Sequence, residues 1–497
     1  MKKYLTRNEY CLGIRCPGLL WILKNRPEGL SPYSERNIIL LHNKKAADLY
    51  TESLSGIRFI PETSVEEDAK ATDEAIKEGV LDIAGATFVS GSLSCRCDLI
   101  KRRSDGTYAL YIIRAAAHIR QTVCHDASYQ VFILATKGIR ISRVFFVKLN
   151  TCFEKGVSDE RELFLLENIS SRVASLVSGV PNRAKNMLSV IVKDEMPRQP
   201  IHNGCFNPSD CENREECFKC LPEDNVFSMS GVSHEIKYKL YRRGKCSFED
   251  MKSEPSLSPL QKKQIEMYLS DAPPIVDREN IKGFLSTLWY PMCYLDFETM
   301  QLPFPPFDGL HPFEPCAFQF SLHKQEHKGG PLEHISCIAK PGCDPRRLIA
   351  EALCENIPDG ACVTAYNMQL EKMMLVTLAD RFPDLREKLL DIASRVHDMM
   401  RPFEKRWYYD GKMKGACSLK AVLHALYPDS EELDYANLSG VHNGQEATTV
   451  YAMMCADPEA FDDYGTVIAD LEKYCSLDTL ALAKLLDKLN EAAKEKQ

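Results

Sequence analysis

The chain has 497 residues, too many for a single hydrophobic core, so two or three domains are expected. With 44% hydrophobic and 27% charged residues it reads as an ordinary globular protein, and no apolar run approaches the ~18–20 residues that cross a bilayer. A net charge of −8 argues against a wholesale nucleic-acid coat, though not against local basic patches.

The N-terminus lacks the apolar core of a signal peptide, so a cytoplasmic protein is expected, with its 20 cysteines outside disulfides. An opening helical stretch carries Cys11 and then Cys16-Pro17 ahead of a Leu/Trp-rich helix. The run Cys97-Asp98-Leu99-Ile100 reads as a strand with an acid, Ser104-Asp105-Gly106 as a turn and 108–114 as the next strand. A helix containing Gln130 and a strand at 144–147 follow. Then Cys205, Cys211, Cys217 and Cys220 place four thiols within sixteen residues. In a reducing compartment such density points to metal. Four local cysteines suit zinc; the two five-residue gaps are unlike paired zinc knuckles, and a [4Fe–4S] cluster with a ligand from elsewhere is the alternative. Residues 221–285 look helical and polar, broken by Pro255, Pro259, Pro273 and Pro274.

From there the chain alternates strands (292–297, 316–322, 334–339, 361–366) with helices (about 369–381, 418–426, 464–490), an α/β pattern. In Tyr294-Leu295-Asp296-Phe297-Glu298-Thr299, read as a strand, Asp296 and Glu298 share one face. Two carboxylates on a buried face repel and are costly to desolvate unless a divalent cation neutralises them. Asn367 closes the 361–366 strand in a polar turn, and Glu371 opens the next helix. Asp398 is an additional acid, and His442, in a turn with Gln445 and Glu446, is a candidate phosphate- or metal-shell residue. Tyr474 and Asp478 stand at i and i+4 on the last helix and share a face. Three or four carboxylates from different elements are what two Mg²⁺ or Mn²⁺ ions require. The aromatics of 303–307, with Phe313 and Phe318, suit either base stacking beside that site or a packed loop. Basic patches stand at Lys101-Arg102-Arg103, Arg114 with Arg120, Arg242-Arg243 with Lys245, and Arg401 with Lys405-Arg406.

The acid set resembles the DEDD (DnaQ-like) 3′–5′ exonucleases of the RNase H-like fold. Asp296 and Glu298 match the first motif, D-x-E. Asn367 to Glu371 matches the second, with glutamate for aspartate and Leu370 for an aromatic. Tyr474 and Asp478 match the Y-x(3)-D of the tyrosine subclass. This resemblance implies metals held by Asp296, Glu298, Glu371 and Asp478 and a water oriented by Tyr474. The N-terminal Cys-Pro and the later cysteines resemble the iron–sulfur RecB-like PD-(D/E)XK nucleases, which implies cluster ligands Cys16, Cys205, Cys211 and Cys217, with Cys220 and Cys11 spare. In that alignment Ile112 occupies the acid position and Arg114 the lysine position, while Asp98 and Gln130 remain. The resemblance is thus to a nuclease domain without catalysis, in which Arg114 and Arg120 would grip phosphate. Nearly end to end, the chain resembles one bacterial family of unknown function that joins these two modules.

The expected organisation is an α/β N-terminal RecB-like domain at 1–220, a helical connector at 221–285 and an RNase H-like mixed-sheet domain at 286–497. The expected activity is a metal-dependent 3′–5′ exonuclease on single-stranded or frayed DNA or RNA. Two rivals stand beside it: a non-catalytic nucleic-acid-binding scaffold, and an iron–sulfur redox-sensing interaction protein.

Overall fold

The computed structural model describes residues 4–27, 35–206, 211, 213–438, 440–441, 443–456 and 464–494. It is a mixed α/β structure in which the chain divides into two units, Met1–Cys220 with Pro303–Phe313, and Leu221–Leu302 with Glu314–Gln497. The 221–285 segment belongs to the second unit. Among the described residues, no helix is long and apolar enough to cross a membrane.

In the first unit, strands β1 (Arg58–Phe59), β2 (Asp82–Ala84), β5 (Leu99–Arg102), β6 (Tyr108–Ile113), β7 (Ile141–Leu149) and β8 (Phe164–Asn168) form a sheet in the order β1-β2-β5-β6-β7-β8. β3 (Thr87–Ser90) and β4 (Leu93–Arg96) pair separately. β6 and β7 run parallel, and the helix Gln121–Thr136 supplies the crossover that a parallel pair requires. Both faces of β6 are covered, which is why it reads as a near-continuous apolar run. The N-terminal helix Arg7–Arg15 starts at a capping box between Thr6 and Glu9, and Pro17 opens the next helix, Pro17–Asn25. The expected strand at 97–100 begins only at Leu99: Asp98 stands ahead of it and accepts the Ile113 N–H at 2.9 Å. The segment Pro303–Phe313 is held by Lys155, whose N–H donates to the Leu310 carbonyl at 3.1 Å and whose carbonyl accepts the Gly309 N–H at 2.8 Å.

In the second unit, β10 (Met292–Met300), β11 (Cys316–Gln325), β12 (Glu333–Ile338), β13 (Cys362–Ala365) and β14 (Val396–Asp398) form a mixed sheet in the order β12-β11-β10-β13-β14. β10 is antiparallel to β11 and parallel to β13, so it sits centrally and is buried on both faces. Its alternation sorts two cores. Cys293, Leu295 and Phe297 face the helices Arg346–Asn356, Gln369–Arg381 and Arg386–Ser394. Met292 and Tyr294 face the opposite way, onto the long helix Tyr464–Ala493 through Leu477, Ala481 and Leu485. β10 extends past the expected residue 297 to Met300, with a register shift between Glu298 and Thr299. Residues 221–285 fold as short helices (His234–Arg242, Phe248–Met251, Pro259–Leu269, Arg278–Leu285) plus β9 (Ile275–Val276), which pairs with β15 (Tyr408–Tyr409).

Candidate metal centre

The face of β10 that carries Met292 and Tyr294 continues, two residues at a time, to Asp296 and Glu298. The helix Tyr464–Ala493 covers that face. Where its apolar stripe ends it presents Asp478, Cys475 and Tyr474 to the two acids. Glu371, in the first turn of the helix Gln369–Arg381, is also close enough to Asp296 to repel it. Four carboxylates thus arrive from three elements. Glu298, Glu371 and Asp478 are 7%, 3% and 9% exposed.

Their electrostatics follow from burial without enough positive charge. Desolvation and then the Asp478 and Glu298 carboxylates hold the Asp296 carboxyl well above the usual carboxylate range. Burial pushes Glu298 up to about 8, Glu371 to about 7 and Asp478 to about 6. Burial and the same carboxylates push the Tyr474 phenol upward, so it remains a proton donor, in hydrogen-bonding reach of Asp478. Tyr435 donates to Asp478 Oδ1 as well. Lys420 lies 4.3 Å from the Tyr435 ring centre and 5.1 Å from that of Tyr474, and its charge draws on Asp478, Glu446 and Glu298. Two buried acceptors at this site, Glu371 Oε2 and Gln319 Oε1, meet no donor among the described residues. Ligand atoms of Asp296, Glu298 and Cys475 lie within 4.8 Å of one another, a group that can hold a metal ion. The donor set therefore fits a divalent cation: it concentrates negative charge and leaves oxygen lone pairs unused.

Asp398 does something else. It stands at the end of β14, accepts the N–H groups of Asn367 and Met400 at 2.9 Å each, and braces the turn in which Asn367 has a φ of 59°. Its charge reaches Glu371. His442 lies outside the described residues. Phe318 is fully buried and stacks on Tyr451 at 3.8 Å, which removes it from any base-stacking role. Phe304 packs against His42 and Lys45 of the first unit, as a packed loop does.

The cysteines separate cleanly. Cys16, Cys205, Cys211 and Cys217 line one small cavity, with Met196, His202 and Arg214. Cys220 is exposed, its thiol directed to the Cys217 carbonyl at 3.4 Å, and it does not line the cavity. Cys11 sits elsewhere, donating to the Thr122 carbonyl at 3.7 Å.

In the first unit Asp98 and Gln130 are linked through Arg114 and Asp126, and Arg7 joins at Asp98; Arg7 and Asp126 carried no motif. Asp98 pairs with Arg7 at 2.6 Å and Arg114 at 2.7 Å; Arg114 also pairs with Asp126, which accepts from Gln130 at 2.7 Å. Burial alone would raise the Asp98 carboxyl, but the Arg7 and Arg114 guanidiniums override it and hold it down to about 2. Ile112 is fully buried in the apolar core. The expectation that Arg114 grips phosphate is corrected: its guanidinium is almost buried and satisfied by two carboxylates. Two other basic patches are partly neutralised. Lys101 pairs with Asp82 at 2.9 Å, and Arg243 and Lys245 share Glu254.

A family model described as a domain of unknown function (DUF2779) matches residues 293–418. The match covers about a quarter of the chain, spans Asp296, Glu298, Glu371 and Asp398, and stops before Tyr474 and Asp478. No curated protein and no solved structure matches the chain significantly.

Proposed function

We propose that the second unit is a metal-dependent 3′–5′ exonuclease on single-stranded or frayed nucleic acid, and that the first unit binds nucleic acid without cutting it. The observation that carries this reading is that Glu298, Asp478 and Glu371, all buried, stand close enough to Asp296 to raise its carboxyl, with too little positive charge to balance the four acids. The residues in that arrangement are those that the DnaQ-like resemblance assigns, and the mixed sheet with a central acid-bearing strand suits an RNase H-like fold.

Divalent ions held by these four carboxylates would supply Lewis-acid activation of the scissile phosphate and of water. The chain's own groups do the rest. With such ions bound, Asp296, Glu298, Glu371 and Asp478 would be ionised and would serve as the ligands. Tyr474, kept as a phenol, orients the attacking water through its hydroxyl. Lys420 offsets negative charge beside Asp478 and Glu298. Water attacks phosphorus, the bond to the 3′ oxygen of the penultimate nucleotide breaks, and a nucleoside monophosphate leaves.

A degradation assay on 3′- and 5′-labelled single-stranded DNA and RNA with Mn²⁺ or Mg²⁺ tests this. Stepwise loss from the 3′ end, abolished in Asp296→Ala, is expected. Intact strands under every condition would favour the scaffold reading.

The first unit supports a non-cutting role, because two guanidiniums already neutralise Asp98 and Ile112 offers no oxygen. Its cysteine cavity supports an iron–sulfur cluster on Cys16, Cys205, Cys211 and Cys217, with zinc as the alternative. Anaerobically purified protein should be brown, absorbing at about 400 nm. Cys205→Ser should lose the colour and Cys220→Ser should keep it. Colourless protein holding stoichiometric zinc would overturn the iron–sulfur assignment.

A further inference from the structure

We propose that Cys475 makes the carboxylate centre a mixed oxygen–sulfur site, one that takes a thiophilic divalent ion such as zinc in preference to magnesium. The proposal rests on the reading of the acid cluster as a metal centre, and adds which ion it selects.

Cys475 is fully buried, yet it does not face the apolar core as Cys293 and Cys362 do. Its thiol points at a carboxylate: Sγ stands 3.5 Å from Asp296 Oδ2 and 3.9 Å from the Asp296 carbonyl oxygen. It lies three residues before Asp478 on the same helix, so both side chains project from one face toward β10. Sulfur and the Asp296 and Glu298 oxygens fall within 4.8 Å of one another, close enough for one ion to touch all three. A second observation also points to a ligand: Glu371 Oε2, on a side chain 3% exposed and near enough to raise the Asp296 carboxyl, meets no donor among the described residues.

The donor set decides the metal class. All-oxygen sites with water suit magnesium and manganese, whereas a thiolate adds affinity for zinc, which also stands above manganese in the general order of divalent affinities. A site of two carboxylates and one thiolate lies within the usual zinc ligand set. When the ion binds, the Cys475 thiol proton passes to solvent and the sulfur ligates as thiolate. The consequence is a centre in which zinc competes with magnesium or manganese for the same carboxylates.

The test is equilibrium binding of Zn²⁺, Mn²⁺ and Co²⁺ to the full-length protein and its Cys475→Ser, Cys475→Ala and Asp296→Asn variants, with thermal melts to confirm folding. The other 19 cysteines are common to all of them, so differences report this centre. Zinc affinity should fall by about tenfold or more in both Cys475 variants, while Mn²⁺ affinity stays within about twofold. The Co²⁺ difference spectrum, wild type minus Cys475→Ser, should show a thiolate-to-cobalt charge-transfer band. Unchanged zinc affinity in both Cys475 variants, with Mn²⁺ still bound in an Asp296-dependent way, would overturn the proposal alone. Binding of every ion unaffected by Asp296→Asn would remove the metal-centre reading and this proposal with it.

Discussion

Replacing Asp296 by asparagine should make the metal-free protein more heat-stable at pH 8 while lowering strand hydrolysis on the order of 10³-fold. The native state holds protons on Glu298, Glu371 and Asp478 up to about 8, 7 and 6, well above the ordinary range near 4. Between those limits the folded chain binds more protons than the unfolded one, so its stability declines as pH rises. The stabilising contribution is complete below about pH 4 and is lost as pH climbs through 6 to 8. An amide at position 296 removes the central repulsion, worth roughly 1–2 kcal/mol, which is a few degrees of melting temperature for a unit this size. The gain should shrink at pH 5, where the wild-type acids are already neutral. Added Mn²⁺ should reverse the order, stabilising wild type and leaving the variant unchanged. Melting curves at pH 5 and 8, with and without Mn²⁺, check this; identical curves for both proteins in all four conditions would refute it.

A second large effect belongs to the first unit. Arg114→Met should destabilise it by about 3–5 kcal/mol, because it leaves buried carboxylates without their shared partner. Asp98 and Asp126 have side chains only 5% and 6% exposed. Asp98 is held down to about 2, so in wild type its contribution is complete above about pH 4 and is lost as pH falls through 2. Without Arg114 the carboxyls resist ionising, and the deficit of the variant is greatest near neutrality and narrows on acidification. Denaturant curves at pH 7 and 4.5 measure it. Arg120→Met, at an exposed position, should leave stability unchanged, and hydrolysis per folded molecule should survive both substitutions. A neutral Arg114→Met would mean that the network contributes little.

What could be read from the sequence depended on periodicity. Asp296 and Glu298 share a face because a strand repeats every two residues, and Tyr474 and Asp478 because a helix nearly repeats every four; both relations are local. Cys475 was hidden by the same logic, since one position from Tyr474 looks like another face until the helix is docked on β10. Tyr435 and Lys420 lie between the motifs, and nothing in their spacing links them to Asp478. Asp126 left a trace, four residues before Gln130 on one helix. Arg7 left none, because its partner Asp98 is 91 residues away. The aromatics of 303–307 follow the first acids closely in sequence, but nearness along a chain does not establish nearness in space, and Phe304 packs against His42 instead.

The return of Pro303–Phe313 to the first unit has a consequence during synthesis. That unit cannot be completed when the ribosome reaches Cys220, for it must await residue 313, a further 93 residues (313 − 220). At about 5–20 residues per second this is a delay of roughly 5–20 s. During it the Lys155 carbonyl lacks the Gly309 N–H that it accepts in the folded unit. Gene fragments ending at 220 would hold the nascent chain permanently in that state, so a cut made at the apparent linker would yield an unfinished domain.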